Sequence, residues 1–372
     1  MKVQLALIAL ALAACGGDFT PGSPNQTADA YVSAAPTFDK FAIAQNDSDT
    51  ATPSAAPQDS SSQALTTAGA ECHPHLFERT GEIISHVNRH FYKMIVHVED
   101  LIKNNPELTS GESKTWENVK NGIDRKLVLT LNADGSFTYV LTLSNGTTTA
   151  TVLSGNIDTT TTGTVTETKG QATFDFSALA SVVVGEQSTG QVTDAFDIVK
   201  DTSRPAGEQQ KRTAQITLTA FHFDDDAHGP RNGSYTWERE PGVGGKFQFT
   251  DDLVLLCPSN PSGLVASMTS VARWYNASGS VHARSDSKAT GGQIVAGNTW
   301  EGVTCAQGST ATAPAEGFWM MKLEDSSGAT VVGAQDQLGD APCDPVFGAV
   351  PDLNDNANDY DFTAAVTFPN EW

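Results

Sequence analysis

Basic residues are scarce in this chain of 372 residues: Lys and Arg total 22 against 44 Asp and Glu, a formal net charge of −22. Nucleic-acid recognition uses clustered Lys and Arg to displace counterions from phosphate, and attraction to anionic lipid headgroups needs the same sign. The balance therefore argues against both as the basis of function. Long apolar runs are lacking too. A spanning helix needs about 20 apolar residues in succession, and the stretch from Val3 to Ala11 falls well short. The chain holds no G-x-S-x-G nucleophile elbow, no P-loop and no G-x-G-x-x-G turn, so the usual routes to acyl transfer and nucleotide binding are not written in it. Cysteine is sparse, at five residues, and no two are spaced as C-x-x-C.

What is present begins at the amino terminus. Lys2 precedes the short apolar run, which fits the core of an export signal. It ends in Leu12-Ala13-Ala14-Cys15. An aliphatic residue, two small residues and a Cys at this place resemble the lipobox of bacterial lipoproteins. The resemblance implies a signal peptide over 1–14, cleavage before Cys15, and acylation of its thiol and new amino group. Each buried methylene contributes about 0.8 kcal/mol, and two or more chains hold a protein stably on a bilayer. The resemblance thus implies the membrane as a partner through a lipid anchor. Gly16, rather than Asp, follows the Cys; by analogy the chain is expected in the bacterial envelope, moored to the outer membrane on its periplasmic or its surface-exposed side.

Residues 15–70 are rich in Ser, Thr, Ala and Pro, as in Ala51-Thr-Pro-Ser-Ala-Ala-Pro57. Such composition buries too little apolar area to offset its ordering entropy, so it predicts a flexible tether. An island, Tyr31 to Ile43, carries enough apolar residues to dock locally. From Leu76 to Lys103 the apolar period is helical. Phe77, Ile84, Phe91 and Val98 recur every seven residues, with Val87, Met94 and Leu101 beside them. Beyond Lys126 the period becomes two and the composition Thr, Val and Gly. Turn signals recur about every 8–12 residues, the rhythm of antiparallel sheets rather than βαβ units. Strands are expected at 126–131, 136–143, 147–153, 163–168, 171–176, 191–199, 214–223, 233–238, 246–256, 265–274, 279–284, 318–323 and 362–368. The fold class expected is mainly β: an antiparallel barrel or sandwich with one amphipathic helix packed on it. The body divides into a helix plus β part over 71–256 and a β-rich part over 257–372. The boundary at Cys257–Gly263 is soft, and one continuous body fits as well.

Apart from Cys15, four Cys remain: Cys72, Cys257, Cys305 and Cys343. An even number in an exported chain reads as two disulfides. The expected pairs are Cys305–Cys343 and Cys72–Cys257. A Cys72-His73-Pro74-His75 soft-metal site is the alternative, disfavoured by the oxidising compartment.

Three groups of residues offer metal chemistry. His86, His90 and His97 fall within 40° on a helical wheel, from about 100° per residue, so they line one edge of the helix. An i,i+4 His pair can chelate Zn²⁺ or Cu²⁺. However, Val87 follows His86 where a zinc protease carries its Glu base, and boundary His residues packed beside the stripe are the simpler account. The run His222-Phe-Asp224-Asp225-Asp226-Ala-His228 places Asp224, Asp226 and His228 in one acidic turn, which reads more simply as solvated. Asp352, Asn354, Asn356 and Asp359 alternate like oxygen ligands of a Ca²⁺ loop. Ala357 and Thr363 replace the Gly and the closing Glu of an EF-hand.

No catalytic set emerges. The reading is a membrane-anchored envelope lipoprotein, acting as a non-catalytic binding or structural module. Its ligand would be a hydrophobic small molecule held against the β surface, or its partner an envelope protein. No cofactor is expected; Zn²⁺, Cu²⁺ and Ca²⁺ are the ions the sequence offers. The alternatives are a metal-dependent hydrolase built on the helix His stripe, and a surface adhesin or matrix protein using the tether as a stalk.

Overall fold

The structure, a computed structural model, describes residues 30–43, 76–103, 112–205, 208–222, 229–240, 242–257, 260–277, 280–292, 294–309 and 315–335. Three helices are named in chain order: α1 (Phe38–Phe41), α2 (Leu76–Ile102) and α3 (Phe176–Val182). Fourteen strands follow one another in a single antiparallel sheet, each bonded to its sequence neighbours. The first seven are β1 (Ser113–Lys120), β2 (Ile123–Leu131), β3 (Phe137–Ser144), β4 (Thr149–Thr162), β5 (Val165–Asp175), β6 (Thr189–Asp201) and β7 (Gln210–His222). The rest are β8 (Arg231–Glu240), β9 (Gly244–Cys257), β10 (Asn260–Ala277), β11 (Ser280–Thr290), β12 (Thr299–Ser309), β13 (Ala315–Glu324) and β14 (Thr330–Gln335).

The turns explain the meander. Lys120 pairs with Ile123, leaving Asn121 and Gly122 as a two-residue loop, both with positive φ (54° and 76°). That is the primed turn whose twist matches the flanking strands. Gly135 and Gly146 (φ 90° and 82°) close the next two hairpins, where Asn132–Gly135 and Asn145-Gly146 predicted turns.

One face of the sheet is apolar and curls around α2. Along β7, Ala214, Ile216 and Leu218 point inward and are buried, while Gln215 and Thr217 are exposed. The helix, 27 residues long and so about 40 Å, touches β1 and β2 at one end of the series and β10, β11 and β12 near the other. Its stripe is buried as its period predicts: Ile84, Val87, Phe91, Met94, Val98 and Leu101 are at most 5% exposed. Small inward residues, Ala272, Ala283, Ser285 and Ser287, all buried, give the helix room on the β10–β11 side.

The mainly β, antiparallel expectation holds. Barrel and sandwich are both corrected: the described strands form one curled sheet, and β1 and β14 are not joined. A sandwich needs a second layer to cover the apolar face; here the helix covers it. The soft boundary at Cys257–Gly263 falls inside a continuous ladder, since β10 pairs with β9 from Asn260↔Cys257 to Tyr275↔Gly244. The two strands expected at 163–168 and 171–176 are the single strand β5, with Gly170 in its middle. The island at 31–43 is packed into the core, with Tyr31, Phe38, Phe41 and Ile43 all buried. The strand expected at 362–368 lies outside the described residues.

The second half of the sheet is buried on both faces. Ser270 to Tyr275 are buried in succession, as are Ala283 to Ser287 and Trp300 to Ala306. Val303, Cys305, Phe318 and Met320 form a separate apolar cluster on the face away from the helix. Cys305 is disulfide-bonded; its partner is not among the residues whose side chains are described.

Candidate functional site

The helix His residues come to different ends. His90 is 2% exposed, and its ring stands edge-on to Phe176 and Phe221 at 5.8 and 5.5 Å. His97 is half-buried near Asp100, which is bonded by Arg125 at 3.3 Å and by Lys120. Burial and the Arg125 charge both hold the His97 pKa below the ordinary imidazole value, despite Asp100. His86 is half-buried. Eleven residues of helical rise, about 16 Å, separate His86 from His97, so one ion cannot span the three. Among the described residues no cluster of His, Cys, Asp or Glu is arranged to hold a metal. Asp224, Asp226, His228, Cys72, Cys343, Asp352, Asn354, Asn356, Asp359 and Cys15 lie outside the described residues, and the Cys257 side chain is likewise not described.

The concave feature is elsewhere, on the outer face of β4–β8. An open trough of about 820 Å³ crosses these strands and is flanked by the β2–β3 turn at Asp134 and Ser136. Cross-strand register builds its floor. Asp158 faces Lys169, Lys169 faces Asp197, and Asp197 faces Thr213. One step along, Asn156 faces Gln171, and Gln215 faces Thr236. All these side chains share the outward face because alternate residues do.

Two inward glycines lie in β4 and β5. A Cβ on Gly170 would lie 2.4 Å from the Phe196 ring, and one on Gly155 2.3 Å from the Tyr139 hydroxyl. The two rings take the inner-face space that side chains at these positions would fill. Lys169 bridges Glu167 at 2.7 Å and Asp197 at 3.6 Å, which raises its pKa, the Glu167 bond being the larger cause. Asp134 is held below the usual carboxylate range by its bonds to Ser136. The trough therefore presents carboxylates, amides, hydroxyls and one paired ammonium at neutral pH.

Two further sets of charges are buried. On the outer face of β10 and β11, Asp286 receives Arg284 at 2.7 Å and is also bonded by Arg273. All three are at most 2% exposed. Burial raises the Asp286 pKa, and the two guanidiniums oppose that. On the inner face, Asp194 is fully buried, and neither carboxyl oxygen has a hydrogen-bond partner. Burial pushes its pKa up to about 7, against the pull of Arg212.

Sequence reasoning missed both the trough and the charges. A register row is invisible until strands are aligned. A visible signal did exist for the inward-pointing charges: Asp194 and Arg212 sit at alternate positions otherwise taken by Val192, Phe196, Ala214 and Ile216.

Comparison with protein families, with characterised proteins and with solved structures finds no match for this chain.

Proposed function

We propose that the chain is an envelope lipoprotein anchored through Cys15, serving as a non-catalytic binding module whose recognition surface is the outer trough. The observation that supports this reading is the register row across β4–β8, which sets Asp158, Asp197, Gln171 and Gln215 on a fully paired sheet beside one another. Rigid strands hold such groups at fixed spacing, which is what selective hydrogen bonding needs. The chemistry suits a ligand rich in hydroxyl or amine groups. A hydrophobic ligand is less well served, because α2 and residues 30–43 already cover the inner face. The disulfides Cys305–Cys343 and Cys72–Cys257 belong to the same proposal, as oxidised staples of an exported body.

Calorimetric titration with a panel of neutral and amino-sugar oligosaccharides tests the recognition surface. At least one is expected to bind, and the double substitution Asp158→Ala with Gln215→Ala is expected to weaken it tenfold or more, since each lost bond contributes about 0.5–1.5 kcal/mol. Binding by none of the panel, or binding indifferent to both substitutions, overturns the reading.

A further inference from the structure

Residues 30–43 are held by a small number of specific bonds. Arg212, 5% exposed, donates to the carbonyl oxygens of Asp39 at 2.9 Å and of Lys40 and Ala42. Its guanidinium also lies over the Trp237 ring at 5.3 Å. Asn88 of α2 clamps Ile43 from both sides, accepting from its N–H at 2.7 Å and donating to its carbonyl. Glu99 accepts from the Phe38 N–H at 3.2 Å. Phe41, fully buried, meets Phe174 and Phe196 edge-on at 5.3 Å each. The segment packs on strands that carry a polar defect. Asp194 on β6 and Arg212 on β7 both point inward, yet Asp194 has no hydrogen-bond partner, and the Arg212 Nε is also unpaired.

We propose that residues 30–43 form a proton-sensitive strap, docked firmly while Asp194 is uncharged and loosened when it ionises. With the strap in place, a charged Asp194 has neither water nor a hydrogen-bond donor. With the strap lifted, water reaches the carboxylate, and Arg212 loses the three carbonyls that occupy it. The undocked state therefore favours the charged form.

The groups around Asp194 are few. Tyr139 on β3 faces it, and its phenol pKa is raised by burial and by the Asp194 charge. Arg212, four residues along β7 from Ile216, which stands opposite Asp194, draws its pKa down and is itself affected by Asp39 in the strap and Arg239 on β8. The docked pKa of Asp194 lies near 7 against an ordinary value of 3.8. Docking is thus undiminished below about pH 4 and weakens as pH rises toward 7, by about tenfold per unit. Lys40 acts in the other direction. Burial lowers its pKa to about 8, so losing its proton above that pH favours docking again. The strap should be loosest between pH 7 and 8.

Trypsin reads the strap directly, because Lys40 is the only Lys or Arg between Lys2 and Arg79. The rate of cleavage after Lys40 in the full chain is compared, at each pH, with that in Asp194→Asn, so the protease's own pH dependence cancels. The ratio of wild type to variant is expected to rise at least tenfold from pH 5.5 to 7.5. Phe41→Ala should be cut rapidly at every pH. A second measurement needs no substitution: hydrogen-exchange protection at Phe41 and Ile43, referred to Leu141 in β3, should fall over the same interval. A constant cleavage ratio, or unchanged relative protection, overturns the proposal.

Discussion

Asp286 shows how much one buried charge can govern. Two guanidiniums converge on its carboxylate in a region closed on both faces. Removing the shared carboxylate takes the counter-charge from two buried guanidiniums, which costs about 3–5 kcal/mol. Asp286→Ala should lower the stability measured by denaturant unfolding by about that amount, whereas Asp134→Ala, at an exposed turn, should change it by less than about 1 kcal/mol. Asp194 and Asp286 thus carry opposite lessons, one buried without a partner and the other with two. The residue types were plain in the sequence, but burial was not, because an inward charge and an outward charge differ by only one step of register.

Among the elements, α2 was the most legible. A stripe repeated over four heptads survives any local ambiguity, and its observed end at Ile102 lies within a residue of the expected one. Hairpins with Gly turns were legible for the same reason. Five elements were not expected, β14 and α1 among them, and the other three show why. β1 (Ser-Lys-Thr-Trp-Glu-Asn-Val-Lys) is polar apart from Trp116 and Val119, although Asn121-Gly122 after it was a turn signal. β12 carries Gly302 and Gly308 within its run. α3 is seven residues long, capped by Asp175 accepting from the Ala178 N–H at 2.8 Å, with Phe176, Leu179 and Val182 buried at helical spacing. Short helices are decided by tertiary packing more than by propensity. The glycines of β4 and β5 let two core rings approach the backbone. Gly170→Ala forces its new methyl into the Phe196 ring and should cost about 1–3 kcal/mol. Pairing it with Phe196→Leu should recover part of that loss, a coupling that a double-mutant cycle of unfolding free energies measures.

For the molecule as a whole, composition and the period change at Lys126 were enough to establish a mainly β chain with one long helix. They could not show that the sheet is single and open, because a barrel, a sandwich and a curled meander share one local pattern. The position of 30–43 was half legible: its apolar residues stood out, but the surrounding Ser, Thr and Pro argued for a free tether. Compartment rests on Leu12-Ala13-Ala14-Cys15. Intact-mass measurement of protein from its native cell should find a chain beginning at Cys15 and heavier than its residues by several fatty acyl groups. A chain beginning at Met1, or one without acyl mass, would remove the anchor.

The neighbour-to-neighbour order of the strands also bears on how the molecule assembles. Among the described residues every ladder joins segments adjacent in sequence, so each new hairpin needs only a short loop to close before its bonds form. Synthesis runs from the amino terminus, so α2 emerges ahead of β1. The helix would then be at hand as a mandrel for the strands, and a chain shortened from its carboxyl end by whole hairpins is expected to stay partly wrapped rather than unravel.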